Sequence, residues 1–151
     1  MTDAELDALG LVSNPKSRKP RAVKARKRPE DELHMAVAKL LTHAIAPPGV
    51  ASADGVLWFS IEGRGKRSIY EGARNKRRGV ISGVPDILIL SLKSGATFIE
   101  LKAENGRLSD SQQELHPQLD CVRAYTFVCK TLDGVAGVLR DCGIPHKARL
   151  T

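Results

Sequence analysis

The sequence predicts one α/β domain behind a basic N-terminal arm, and three observations carry that prediction. Apolar residues recur at helical spacing from Glu30 to Ala46. Short runs rich in β-formers follow, at Val56–Ile61 and twice between Gly83 and Lys102. A last such run, Ala124–Val128, is followed by a helical pattern from Leu132 to Leu139. With 151 residues the chain has room for one core of ordinary size and needs no second domain. The arm takes residues 1–29 and the domain residues 30–151.

Charge narrows the partners. Lys and Arg number 24 against 17 Asp and Glu, a formal net charge of +7, which favours a polyanion such as nucleic acid. A membrane partner is set aside, because no long apolar stretch and no aromatic-rich basic amphipathic helix is present. The acidic start, Met1-Thr2-Asp3-Ala4-Glu5-Leu6, has no signal-peptide pattern, so a cytoplasmic location is expected. Cys121, Cys129 and Cys142 are widely spaced without a CxxC pair, which fits reduced thiols buried as small hydrophobes rather than a structural zinc site.

In chain order, residues 1–12 carry no pattern long enough to assign. Between Ser13 and Pro29 prolines alternate with Lys and Arg, which predicts a disordered segment that tracks phosphates rather than a merely solvated tail. The helix from Glu30 aligns Leu33, Val37, Leu40, Leu41 and Ile45 and stops at Pro47-Pro48-Gly49. Glu30 lies on that helix's inward face, one turn below the core contacts; together with Asp31 and Glu32 it also complements the positive end of the helix dipole, and that role alone would explain it. Val56–Ile61 reads as a buried strand that pairs with the following hairpin.

The segment that follows, to Gly83, interleaves glycines with Arg64, Lys66, Arg67, Arg74, Lys76, Arg77 and Arg78. It is expected to be a flexible basic loop or a short helix in contact with phosphates, and Tyr70 offers one face for base stacking. Asn105-Gly106 marks a tight turn. Ser109-Asp110-Ser111-Gln112 forms a capping box that starts a helix, while Pro117 predicts a kink or restart near His116. His34, His43, His116 and His146 read as structural. The Ala124–Val128 strand and the closing helix, stopped by Gly143-Ile144-Pro145, complete and cover the sheet.

The chemistry gathers between Gly83 and Lys102. Strands send alternate side chains to opposite faces, so Ile99 and Leu101 point one way and Glu100 and Lys102 the other. Asp86 opens the preceding strand, and pairing about a Ser94-Gly95 turn brings its carboxylate toward Glu100 and Lys102. Two carboxylates suit a hard divalent cation such as Mg²⁺, and a lysine beside it can orient water and offset charge in phosphodiester hydrolysis. No GxSxG, GxxxxGK[ST], HExxH or Cys-His arrangement competes.

Pro85-Asp86, a spacer and Glu100-Leu101-Lys102 resemble the PD-(D/E)xK nuclease signature. The fuller set, Gly83-Val84-Pro85-Asp86 through Glu100-Leu101-Lys102 to Gly106-Arg107-Leu108-Ser109 and Gln112, resembles its VRR-NUC branch. That resemblance implies a restriction-endonuclease-like core with a mixed central β-sheet flanked by helices. It implies Mg²⁺ or Mn²⁺ held by Asp86, Glu100 and the Leu101 carbonyl, with Lys102 positioning the water. A first-helix glutamate is common in the superfamily; Glu30 matches it by face, and Glu32 is the alternative. Gln112 is implied at the metal-bound water or the phosphate, while Ser109 keeps the cap. The activity implied is a structure-selective DNA endonuclease, of a kind often encoded by phage, with a homodimer if junctions are resolved. The alternative is a non-catalytic basic nucleic-acid-binding module in which Asp86, Glu100 and Lys102 only neutralise one another.

Overall fold

The computed structural model describes residues 28–61 and 68–147, and among these described residues lie four strands and four helices. Helix α1 (Pro29–Ala44) starts with a proline at its first position, where a missing amide costs nothing, and carries Glu30, Asp31 and Glu32 in its first turn. Strand β1 (Val56–Ser60) follows, then helix α2 (Ile69–Arg77), strands β2 (Ile87–Ser91) and β3 (Gly95–Leu101), helix α3 (Asp110–Cys121), strand β4 (Tyr125–Cys129) and helix α4 (Leu132–Asp141). The fold is α/β, a mixed four-stranded sheet flanked by helices, as the sequence predicts.

The strands lie in chain order, β1-β2-β3-β4. β1, β2 and β3 form an antiparallel meander with Val56 opposite Ser91 and Ile87 opposite Ile99. β4 joins β3 in parallel, and α3 makes the crossover that a parallel pair requires. One sheet face carries Val56, Trp58, Ile87, Ile89, Ile99 and Leu101, all buried in one cluster with Val37 and Leu41 of α1 and Val135 and Leu139 of α4. Apolar burial at roughly 25 cal/mol per Å² holds these layers together. The buried Trp58 indole donates to the Ala46 carbonyl at 2.7 Å, so the largest core side chain leaves no polar atom stranded.

Two expectations need correction, whereas part of the basic segment takes the second of its two expected forms, a short helix: Ser68 and Glu71 form a reciprocal capping box that starts α2. Pro117 does not restart its helix, since α3 runs from Asp110 to Cys121 through it. Tertiary contacts on both sides hold that single helix, Gln112 to Glu100 before the proline and Asp120 accepting the Thr126 amide at 3.0 Å after it. The amide that proline lacks would have served Gln113, and that residue is exposed, so water can serve its carbonyl. Finally, Cys129 is buried but Cys121 is exposed near the end of α3; all three cysteines are free thiols.

The arm expected over residues 1–29 lies, but for Arg28 and Pro29, outside the described residues, as do Arg64, Lys66 and Arg67. Among the described residues no helix is long and apolar enough to cross a membrane.

Candidate active site

The hairpin register decides the site. Ile87 faces Ile99 across the β2–β3 pair, so the next position outward sets Asp86 opposite Glu100, on the sheet face away from the aliphatic core. Side-chain and backbone bonds fix the Asp86 end. Its Oδ2 accepts the Leu101 amide at 2.8 Å, and its carbonyl accepts the Ile61 amide at 2.7 Å. Asp86 is thus stitched to the end of β3 and to the exit of β1.

The turn before it has a steric reason for its sequence. Gly83 adopts φ +85°, and a Cβ there would lie 2.4 Å from the Ser111 carbonyl oxygen, so only glycine lets this backbone press on the first turn of α3. Pro85 is buried behind it.

Glu100 is 1% exposed. Its Oε1 accepts the Lys102 ammonium at 2.9 Å and the Gln112 side-chain amide, but its Oε2 is buried with no partner. Burial pushes the Glu100 carboxyl above the ordinary glutamate range; the Lys102 hydrogen bond opposes that rise and the nearby Asp86 charge adds to it. For Lys102, burial works against the charge, but the hydrogen bond and charge of Glu100, with Glu30 and Asp86 beyond, more than offset it and raise the ammonium above the usual lysine value. Lys102 remains a cation at any working pH.

Gln112 carries two roles at once. Its Oε1 accepts the Ser109 amide at 2.9 Å, completing the capping box, while its Nε2 is turned toward Glu100. The capping explanation and the site explanation are therefore one geometry. Glu30 reaches the site by its edge: exposed in the first turn of α1, it accepts the Ala103 amide at 3.3 Å and acts on Lys102 by charge. Glu32 is exposed. Among the described residues no group of three or more His, Cys, Asp or Glu is arranged around a common point, so Glu30 stands beside the Asp86–Glu100 pair rather than within it.

Two carboxylates, one with a desolvated oxygen that lacks a partner, fit a divalent cation, since a buried carboxylate oxygen is costly unless something satisfies it. The Leu101 carbonyl follows the amide that Asp86 holds, so it is the neighbouring oxygen donor.

His116 is buried on α3, one turn past Gln112, near the Gly83 backbone, and burial holds its imidazole below the usual histidine value. His34 pairs with Ser60 at 2.9 Å and His146 with the Ile144 carbonyl at 2.7 Å, while His43 is exposed. Of the basic residues singled out by sequence, Arg74, Lys76 and Arg77 lie in the last turn of α2 and Arg78 caps it. A cleft of about 1070 Å³ opens between α2, the 79–84 segment and the start of α3, with Asp86 in its lining. Sequence reasoning did not find its other polar residues, among them Asn75, Ser82 and Gln118; no spacing connects them, and only the fold brings them together.

Comparison with known proteins agrees with the fold. Residues 57–130 match the model of the VRR-NUC domain, from β1 to the residue after β4, leaving Glu30 outside the matched segment. No curated protein sequence matches the chain. A solved structure described as "VRR_NUC domain protein" shares the fold, with 23% identity over 77% of this chain and 88% of its own, at a TM-score of 0.52. Another, described as "VRR_NUC domain", has 20% identity over 76% of this chain and 97% of its own, at a TM-score of 0.46. Pro85-Asp86 and Glu100-Leu101-Lys102 are consistent with the PD-(D/E)xK superfamily. Residues 57–130, then, are similar to the VRR-NUC domain, whose family is one of nuclease-like domains.

Proposed function

We propose that the protein is an Mg²⁺- or Mn²⁺-dependent endonuclease that hydrolyses DNA phosphodiester bonds, acting on branched DNA. The observation that carries this reading is the unpartnered Oε2 of Glu100, buried across the hairpin from Asp86 and one strand position pair from Lys102. Asp86, Glu100 and the Leu101 carbonyl would hold the metal. When bound, a divalent cation supplies Lewis acidity toward a phosphoryl oxygen and a water more easily deprotonated than bulk water.

The protein's own groups do the rest. Lys102 keeps its proton and orients the attacking water while offsetting negative charge that grows on the phosphate in the transition state. Gln112 fixes Glu100 from α3, and Glu30 supports Lys102 by charge from α1. Arg74, Lys76, Arg77 and Arg78 contact backbone phosphates, and Arg64, Lys66 and Arg67 extend that basic segment in sequence. Resolution of a junction needs two cuts, so on such a substrate a homodimer with two sites is the working form.

Incubation with labelled branched and linear DNA in Mg²⁺, Mn²⁺ or EDTA tests the proposal. Expected are cut strands that require metal and vanish in Asp86→Ala and Lys102→Ala. Binding without cutting on every DNA would instead favour a non-catalytic basic module, the reading that the Lys102–Glu100 ion pair would support if it were the whole purpose of these residues.

A further inference from the structure

Helix α3 has one buried residue, and it is a histidine. His116 is 7% exposed and stands four positions after Gln112, on the same side of the helix. Where a helix packs on a sheet, such a position ordinarily holds an aliphatic side chain. Here the imidazole Nε2 is buried with no hydrogen-bond partner among the described residues, a cost that an aliphatic side chain would avoid. Stranded polar atoms are rare in native cores, so the rest of the ring calls for an account.

The ring has a partner on its other side, the backbone of Gly83. That bond favours the protonated ring, so the ring donates and the Gly83 carbonyl accepts. With Nε2 unpartnered, the donor is Nδ1. Lys102 lies near enough to act on the same ring by charge, which sets His116 beside the site rather than behind it.

The path of the chain toward Asp86 shows why a single bond at Gly83 matters. The Val80 amide donates to the Asn75 carbonyl, and the Asp86 carbonyl accepts the Ile61 amide. Between them, residues 81–85 make no backbone-to-backbone hydrogen bond among the described residues. Gly83 presses on the Ser111 carbonyl so closely that no Cβ fits, and this contact stops the turn from moving toward α3. A steric contact cannot stop the turn from lifting away; the bond from His116 can. Three residues further on is the carboxylate that accepts the Leu101 amide at 2.8 Å.

Resting on the reading of Asp86 as a metal ligand, we infer that His116 is a positioning residue: by donating to the Gly83 carbonyl it fixes the turn that ends in Asp86, and so sets where that carboxylate stands opposite Glu100. The buried histidine serves the metal site through the backbone and touches neither metal nor substrate.

Amide hydrogen exchange followed by NMR, on the full chain in EDTA, reads the hold on Asp86 without metal or DNA, because the Leu101 amide is bonded to its carboxylate. His116→Leu keeps an apolar side chain and removes the donor, His116→Asn puts a donor where Nδ1 stands, and His116→Gln puts one where Nε2 stands. Leu101 exchange is expected to quicken about tenfold in His116→Leu and His116→Gln, the size of one hydrogen bond, and to stay near the parent in His116→Asn. The Ile89 amide, in the middle of β2, is expected to be unchanged in all three and reports general loss of stability. Should His116→Leu fail to fold by circular dichroism, the contrast between His116→Gln and His116→Asn carries the test. Calorimetric titration with Mn²⁺ should show affinity reduced about tenfold in His116→Leu and His116→Gln and retained in His116→Asn, the low end for loss of a group that orients a metal ligand. Leu101 exchange that stays slow in His116→Leu and His116→Gln, quickens equally in His116→Asn, or rises only together with Ile89 overturns the inference. If exchange responds as expected but the parent binds no Mn²⁺, the metal reading of Asp86 falls and the anchoring of its turn by His116 stands.

Discussion

Lys102 lies 2.9 Å from Glu100 Oε1, and the other oxygen of the same carboxylate is buried with nothing to bond. An ion pair built only for stability would satisfy both oxygens, because a desolvated carboxylate repays its cost only when its lone pairs are taken. The half-satisfied pair is therefore the ground for the metal site proposed above.

Replacing Glu100 by glutamine should separate stability from activity. Breaking a buried pair commonly costs ~3–5 kcal/mol through the charge left behind. Here the charge left behind is Lys102, which retains Glu30 and Asp86 nearby, so Glu100→Gln should lose much less than that in urea melts. Strand cleavage should fall at least about a hundredfold, as expected when a group acting on transition-state charge is lost. A variant that keeps near-parental cleavage would remove Glu100 from the metal site.

The raised Glu100 carboxyl gives a pH dependence whose sign is fixed. A carboxyl that titrates higher in the folded state than in the unfolded chain favours folding while protonated, and that contribution is lost as pH rises from the ordinary glutamate value through the raised one. In EDTA, Glu100→Gln should therefore gain stability relative to the parent as pH rises through the weakly acidic range. Thermal melts of both proteins from pH 4 to pH 8 read this difference directly. Parallel curves would show that burial does not govern this carboxyl.

Gly83→Ala should be costly and Gly79→Ala mild. Both glycines have positive φ, +85° and +77°, but a Cβ at Gly83 would run into the Ser111 carbonyl whereas at Gly79 it would enter open space. Strain alone costs roughly 1–2 kcal/mol at either site, and Gly83→Ala must also push the Asp86 turn off α3. Chemical denaturation should rank the two, and cleavage should fall much further for Gly83→Ala than its lost stability explains. Equal effects would mean that the Gly83–Ser111 contact yields without moving Asp86.

Ser109→Ala and Gln112→Ala divide the capping box from the site. Each removes one half of the box at about 0.5–2 kcal/mol of stability. Only Gln112 also touches Glu100, so cleavage at a temperature where both variants are folded should drop for Gln112→Ala and hold for Ser109→Ala. If both retain activity, Gln112 is a cap and nothing more.

Thiol labelling at pH 8 should distinguish the three cysteines. Burial pushes Cys129 up to about 11, so it presents almost no thiolate, and Cys142 is also raised by burial and the neighbouring Asp141 charge. Exposed Cys121 should react first, and Cys129 only on unfolding, as peptide mapping would report. Rapid native labelling of Cys129 would contradict its place in the core.

Period and punctuation determined much of this protein before any fold was known. Alternation in Phe98–Lys102 put Glu100 and Lys102 on one face, the Ser94-Gly95 break set the hairpin, and Ser109–Gln112 announced α3, because each is a local rule acting within a few residues. Four matters needed the tertiary structure. Pro117 stays within one helix because bonds to Glu100 and Thr126 anchor α3 on both sides. Glu30 meets Ala103, 73 positions away in the chain, by the packing of α1 across the sheet end. The stranded oxygen of Glu100 follows from burial under α3. The cleft that joins Asn75 to Gln118 exists only because α2 stands apart from the sheet beside α3. Local sequence fixes which way a side chain leaves its own backbone; what that side chain then meets is decided by distant segments whose approach depends on packing that no short-range pattern encodes.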